Sequence, residues 1–316
     1  MRTRIVLLAC LFYFGFLSNA WASDPVMLKL GTATKGGGFQ LFGKHLARVL
    51  NQTQSDITIT AIDTRGSKQN IPFLERGKID IGLVEGNAAR QAMQGIKRPK
   101  ANLKVLSVMY PNPGMFVVRA NSPYKTINDL KSQAIAFGTR ASGLRILVND
   151  VLDGIGLQAD KDFKQIILDK AAQGPKLVLS KQAEALWGAG IGWPGFVNVA
   201  NSPVGAHFIG PSEQQITQIL KRHPHLKRMS VPANTYKGQN KQIDSIGLWS
   251  LILIKPSVPE DTAYKLVKAL HQAETTLAKS LKQASYTTVK NTLDAVPPEQ
   301  LHPGVIRYYK EQALLR

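Results

Sequence analysis

The chain has 316 residues, with 40 Lys and Arg against 21 Asp and Glu and a net charge of +19. Such a balance favours anionic partners, but the basic residues are spread along the chain and no aromatic-interleaved nucleic-acid motif accompanies them. Cys10 is the one cysteine, so a chain processed after it has no disulfide, thiol nucleophile or thiolate metal site.

Residues 1–22 read as a secretory leader. Arg2 and Arg4 form a basic start, IVLLACLFYFGFL is the apolar stretch, and Ala20-Trp21-Ala22 fits a cleavage site. The apolar run is shorter than the ~20 residues a membrane span needs. Its removal leaves 19 − 2 = +17 and predicts a periplasmic protein. Without disulfides, stability must come from core burial, for which the remaining length suffices as one large domain or two lobes.

The first strand, VMLKL, runs into a turn rich in glycine and threonine, GTATKGGGF (31–39). Apolar spacing at Phe39, Phe42, Leu46, Val49 and Leu50 then predicts an amphipathic helix. ITITAID (57–63) alternates like a strand. A Thr-Arg-Gly-Ser turn (64–67) opens a short helix in which Pro72 is awkward. KIDIGLVEG (78–86) reads as a strand and loop, and LKVLSVMY and GMFVVRA as strands flanking PNPG.

INDL predicts a short helix. QAIAF leads into a second glycine turn, GTRASGL (138–144), and RILVNDVL continues as a helix. Gly154 and Gly156 suit its C-cap. KQIILD (164–169) is a strand, and residues 174–195 read as a helix, a strand and a Gly-Trp-Pro-Gly turn. IGLWSLILI (246–254) reads as one buried strand. A long helix with Pro259, Glu260 and Asp261 at its start follows, and LHPGVIRYYKEQALL closes the chain as a helix.

Strands alternating with helices imply parallel sheets. Leu74–Leu83 and Leu179–Leu186 echo each other weakly, each placing an acidic residue at the entry to a strand. Each glycine turn admits two readings: plain turn chemistry, or backbone N–H groups at a helix start that receive an anion. Their repetition about a hundred residues apart favours two lobes that hold one ligand between them.

Other chemistries fit less well. Gly38 to Lys44 matches the letters of a Walker loop, but His45 stands where Ser or Thr is needed. No GxGxxG follows the first strand. Ser142 lies in Ala-Ser-Gly rather than a nucleophile elbow. His223-Pro-His225 has no cysteine or helical histidine beside it, so it reads as a solvated loop and no metal is expected. No catalytic residue and no cofactor is expected.

With these segments together, the chain resembles the TAXI family of solute receptors for TRAP transporters. GTATKGGGFQLFGKHLARVLN looks like that family's glycine-rich opening and helix. TRGSKQNIPFLERGKIDIGLVEGNAA and INDLKSQAIAFGTRASGLR are similar to its internal segments, and LHPGVIRYYKE matches its ending. The resemblance implies an α/β class-II periplasmic binding protein, two lobes joined by a two-strand hinge, with lobe one at 23–118 plus 246–316 and lobe two at 119–245. It implies a small carboxylate or amino acid such as glutamate as solute, a TRAP-type permease as partner, and a monomer. Ligand contacts carry over to Thr34, Gly36, Gly37, Phe39, Gly66, Ser67, Asn70, Glu85, Gly86, Asn87, Thr139, Ser142, Gly143, Gly192 and Trp193. Phe39 replaces the family's Tyr, Leu144 replaces Thr, and Lys35 and Arg140 add cations expected to face the solute. A sensory subunit for a membrane kinase is the alternative, and an exported hydrolase a third class.

Overall fold

The structure, a computed structural model, describes residues 25–315, and the leader expected over 1–22 lies outside them. Two five-stranded mixed sheets form the two cores. The first combines β1 (Val26–Gly31), β2 (Ile57–Ile62), β3 (Ile81–Val84), β4 (Lys104–Pro111) and β12 (Trp249–Ile254) in the order β2-β1-β3-β12-β4. The second combines β5 (Gly114–Arg119), β6 (Ala134–Thr139), β7 (Lys164–Leu168), β8 (Ala185–Ala189) and β9 (Ala206–Ile209) in the order β7-β6-β8-β5-β9. The two orders correspond strand for strand. Three parallel strands come first in each, and the fourth, β12 or β5, runs antiparallel to its neighbours. The expected two-lobed α/β architecture is the one observed.

Helices cover both sheets, as parallel strands require. In the first lobe they are α1 (Gly38–Thr53), α2 (Ser67–Glu75), α3 (Gly86–Gln94), α8 (Glu260–Ser280), α9 (Val289–Ala295) and α10 (Pro303–Glu311). In the second they are α4 (Leu144–Gly154), α5 (Gln173–Leu179), α6 (Pro194–Ala200) and α7 (Glu213–Arg222), with a ribbon of β10 (Lys227–Val231) and β11 (Ile243–Gly247) beside them. α1 buries Phe42, Leu46, Val49 and Leu50, the stripe its apolar spacing predicts. Pro72 is accommodated inside α2, whose nine residues leave it near the C-terminal end. Among the described residues no helix is long and apolar enough to cross a membrane.

Two boundaries differ from expectation. The chain crosses to the second lobe at Asn112-Pro113, not at Arg119, because β5 pairs with β8 and β9 and all six of its residues are buried between them. The run 246–254 is not one strand. It breaks at Leu248: β11 pairs with β10 in the second lobe, and β12 pairs with β3 and β4 in the first. The crossings lie side by side, since the Asn112 amide N–H donates to Leu248 O at 3.1 Å and Asn112 Nδ2 to Ser250 Oγ at 2.6 Å.

The closing His-Pro-Gly is structural. His302 is the N-cap of α10 and accepts from Gly304 N at 3.2 Å, and Pro303 takes the first helical position. A side chain at Gly304 would meet Glu260 O at 2.2 Å, so the glycine lets α10 lie directly on α8.

Candidate functional site

Both sheets point the carboxyl ends of their parallel strands at the gap between lobes, the usual ligand position in open α/β sheets. The turn after β1 starts α1, the turn after β2 starts α2, and the turn after β6 starts α4. These three helix starts converge on one cleft lined by Thr34, Gly37, Gly38, Phe39, Arg65, Gly66, Ser67, Glu85, Tyr110, Thr139, Ser142, Gly143, Leu144, Leu168 and Trp193, among others. The N–H groups of Gly38, Phe39, Ser67 and Gly143 have no hydrogen-bond partner among the described residues. They are the donors that a helix start leaves over.

The lobes touch across the cleft. Ala171 N donates to Thr34 Oγ1 at 3.2 Å, Ala172 N to Lys35 O at 3.4 Å and Lys68 N to Ala141 O at 3.1 Å. Glycines permit this approach. A Cβ at Gly36 would sit 2.6 Å from Ala172 Cβ, and one at Gly143 would sit 2.5 Å from Glu85 Cβ. The conformation is therefore a closed one.

Glu85 is the one acid in the lining, and it is 1% exposed. As N-cap of α3 it accepts from Asn87 N at 3.0 Å and Ala88 N at 3.2 Å through Oε2, and from Asn87 Nδ2 at 2.9 Å through Oε1. Burial pushes its carboxyl up to about 7 against these bonds. Ser67 Oγ accepts from Glu85 N at 3.0 Å, tying the start of α2 to that of α3. Ser142 Oγ accepts from Leu144 N at 3.2 Å, so this hydroxyl serves the helix start.

Ten of the expected contact residues line the cleft: Thr34, Gly37, Phe39, Gly66, Ser67, Glu85, Thr139, Ser142, Gly143 and Trp193. Gly36 packs on Ala172 at the edge. Gly86 packs on Leu248, and Gly192 faces Gln283. Asn70 does not reach the cleft. It is fully buried behind it, and its Nδ2 donates to Thr32 O and Leu83 O at 2.8 Å, bolting β1 to β3. Asn87 is likewise buried and spends its Nδ2 on Glu85.

The two added cations do not enter the cleft. Lys35 is exposed outside it. Arg140 is exposed in a side groove shared with Thr34, Arg65, Thr139 and Asp169. Being long and strongly hydrated, both side chains favour the rim over a closed interface. The cation that lines the cleft is Arg65, signalled only by its place in the Thr-Arg-Gly-Ser turn. Tyr110 and Asn112 line it from the first crossing, and no motif announced them.

Comparison with known proteins agrees with this geometry. The model of the NMT1-like family matches residues 30–313. The chain belongs to the NMT1-like family. Solved structures with the same fold include the alkanesulfonate-binding protein SsuA of Xanthomonas axonopodis pv. citri bound to MOPS, 20% identical, covering 93% of this chain and 96% of that one with a TM-score of 0.50. A protein of Bordetella bronchiseptica RB50 is 15% identical, with 93% and 90% covered and a TM-score of 0.52. The effector-binding domain of QuiR in complex with shikimate is 15% identical, with 77% and 94% covered and a TM-score of 0.50. This NMT1-like chain thus has the fold of periplasmic solute-binding proteins.

Proposed function

We propose that the protein is a non-catalytic periplasmic receptor that closes on a small organic anion and hands it to a membrane transporter. The observation that carries the reading is the cleft itself: three helix starts from two lobes converge there with unpaired N–H groups. Phe39, Trp193, Leu144 and Leu168 supply an apolar wall for the solute's carbon frame.

Charge at the mouth supports an anion. Arg65 lines the cleft, and Arg140 flanks it. Lys68 and Arg145 lie near enough to be affected: burial and then the Arg145 charge lower Lys68, and burial and then the Arg140 charge lower Arg145. Lys68 of lobe one and Arg145 of lobe two repel each other, as do Arg145 and Arg140, until an anion arrives. Glu85, pushed up to about 7, carries less opposing charge than an ordinary glutamate.

A carboxylate such as glutamate, and a TRAP-type permease as partner, follow from the TAXI resemblance of the glycine turns and the His-Pro-Gly ending. Export through the leader expected at 1–22 would place the receptor where such a permease is met. Mass spectrometry of solute retained through native purification, then calorimetry with an acid panel, tests the reading. An organic acid should be carried and should bind one to one. Binding of neutral solutes alone would overturn it.

A further inference from the structure

A cluster of two histidines and an aspartate lies in lobe two, outside the lining of the cleft. We propose that Asp150, His223 and His225 form a binding site for a divalent transition metal of the zinc class. The ligand atoms would be an Asp150 carboxylate oxygen, His223 Nδ1 and His225 Nε2. One ligand atom from each of the three residues lies within 4.8 Å of the other two. His225 Nε2 is 3.2 Å from Asp150 Oδ2, and His223 Nδ1 is 3.9 Å from Asp150 Oδ1. Tetrahedral zinc with bonds of about 2.0–2.1 Å separates its nitrogen and oxygen ligands by roughly 3.4 Å. The two distances, which run to different oxygens of Asp150, lie on either side of that value, and the three ligand atoms lie within 4.8 Å of one another, so the side chains would draw in around an ion.

The histidine further from Asp150 is already oriented for ligation. His223 Nε2 meets Asp153 Oδ2 at 2.8 Å, and Arg222 Nη2 holds Asp153 Oδ1 at 2.9 Å. A carboxylate on one ring nitrogen fixes the proton there and leaves the other nitrogen's lone pair for a metal. Asp150 and Asp153 are three residues apart on α4, so one helix face supplies both a ligand and the orienting carboxylate. The two imidazoles stand nearly perpendicular, with centroids 5.8 Å apart, so they approach a common point from two directions.

The scaffold is rigid. A Cβ on Gly154 of α4 would fall 2.7 Å from Ile219 Cα of α7, so the helices are in close contact where the histidine turn leaves α7. Leu226, next after His225, is 2% exposed and anchors that turn in the core. Each metal-binding side chain is about a fifth exposed, enough to leave a fourth position for water. The charge of Arg90, on α3 of lobe one, acts on His225, and ligation through Nε2 places the ring proton on Nδ1. Arg90 and Arg222 oppose a cation, and Asp150 and Asp153 favour one.

The test uses untagged protein stripped with a chelator, titrated with zinc chloride by calorimetry and with Co2+ by absorption. One equivalent should bind, and Co2+ should show the intense ligand-field bands of a tetrahedral site. His223→Gln and His225→Gln should each weaken binding at least tenfold, and the pair should abolish it. Asp153→Asn should weaken it about tenfold, the usual effect of losing an orienting carboxylate. His207→Gln, on β9, should bind as the parent does. Circular dichroism of the metal-free variants checks that they fold. Absence of binding by the parent, or binding that survives the double substitution, would overturn the proposal.

Discussion

At the scale of single residues, buried polar groups decide what the cleft can hold. Glu85 and Asn70 both belong to segments that resemble a binding motif, yet the Asn70 amide nitrogen is spent on clamping strands and the Glu85 carboxylate on capping a helix. The Glu85 cap has a thermodynamic consequence. Its carboxyl is raised from 4.5 to about 7, so between those values the folded protein holds a proton that the unfolded chain releases. The stabilisation from Glu85 is complete below the lower value and is lost as pH rises through the upper one. The shift corresponds to about 3 kcal/mol. Urea denaturation of ligand-free protein at pH 5 and pH 8 should show a loss of that order in the parent. In Glu85→Gln the loss should be much smaller, because no charge forms in the buried cap. The Asn87 amide can turn its unpartnered Oδ1 to accept from the new amide. Equal losses in parent and variant would refute this account of the carboxyl.

At the scale of elements, the repeated lobes explain what was readable. The weak echo between Leu74–Leu83 and Leu179–Leu186 corresponds to a structural equivalence: β3 and β8 hold the same place in their sheets. Asp80 at the entry to β3 pairs with Lys255 at the exit of β12, at 3.0 Å, and Glu184 at the entry to β8 pairs with Arg119 at the exit of β5, at 2.6 Å. The two glycine turns likewise occupy equivalent positions after β1 and β6. Periodicity exposed α1, α4 and α8 because each buries one face of several turns. It did not expose the break at Leu248, since an apolar run looks the same whether it serves one sheet or two. Nor did it expose Arg65 and Tyr110 as lining, because only the packing of one lobe on the other brings them there. Gly143 tests that packing. Its φ of −65° and ψ of −28° suit any residue, so Gly143→Ala should change ligand-free stability by less than about 0.5 kcal/mol. In the closed form the new methyl meets Glu85 Cβ and Ser67 Oγ of the other lobe, an overpacking of about 1–3 kcal/mol. Calorimetry should show solute affinity reduced roughly five- to hundredfold. Unchanged affinity would mean that the solute is bound without this closure.

At the scale of the whole molecule, field and hinge act in sequence. The chain crosses between lobes twice at adjacent points, and the few direct hydrogen bonds across the cleft involve Thr34, Lys35, Lys68, Ala141, Ala171 and Ala172. A solute that bridges both lobes would add the contacts that make closure favourable, a population shift set by its differential affinity for the closed form. Capture precedes closure, and there the charge matters. With 40 cationic against 21 anionic residues and Arg65, Lys68, Arg140 and Arg145 around the mouth, the open protein should draw anions from beyond contact distance. Raising ionic strength from about 0.01 M to 0.15 M shortens the screening length from roughly 30 Å to 8 Å. Stopped-flow association of the anion should therefore slow several-fold over that range while dissociation changes little. Arg65→Gln combined with Arg140→Gln should lower the low-salt rate and flatten its salt dependence, because the two substitutions remove one rim cation from each lobe. A salt-independent association rate in the parent would place the recognition entirely in the short-range N–H donors of the helix starts and remove the rim from the mechanism.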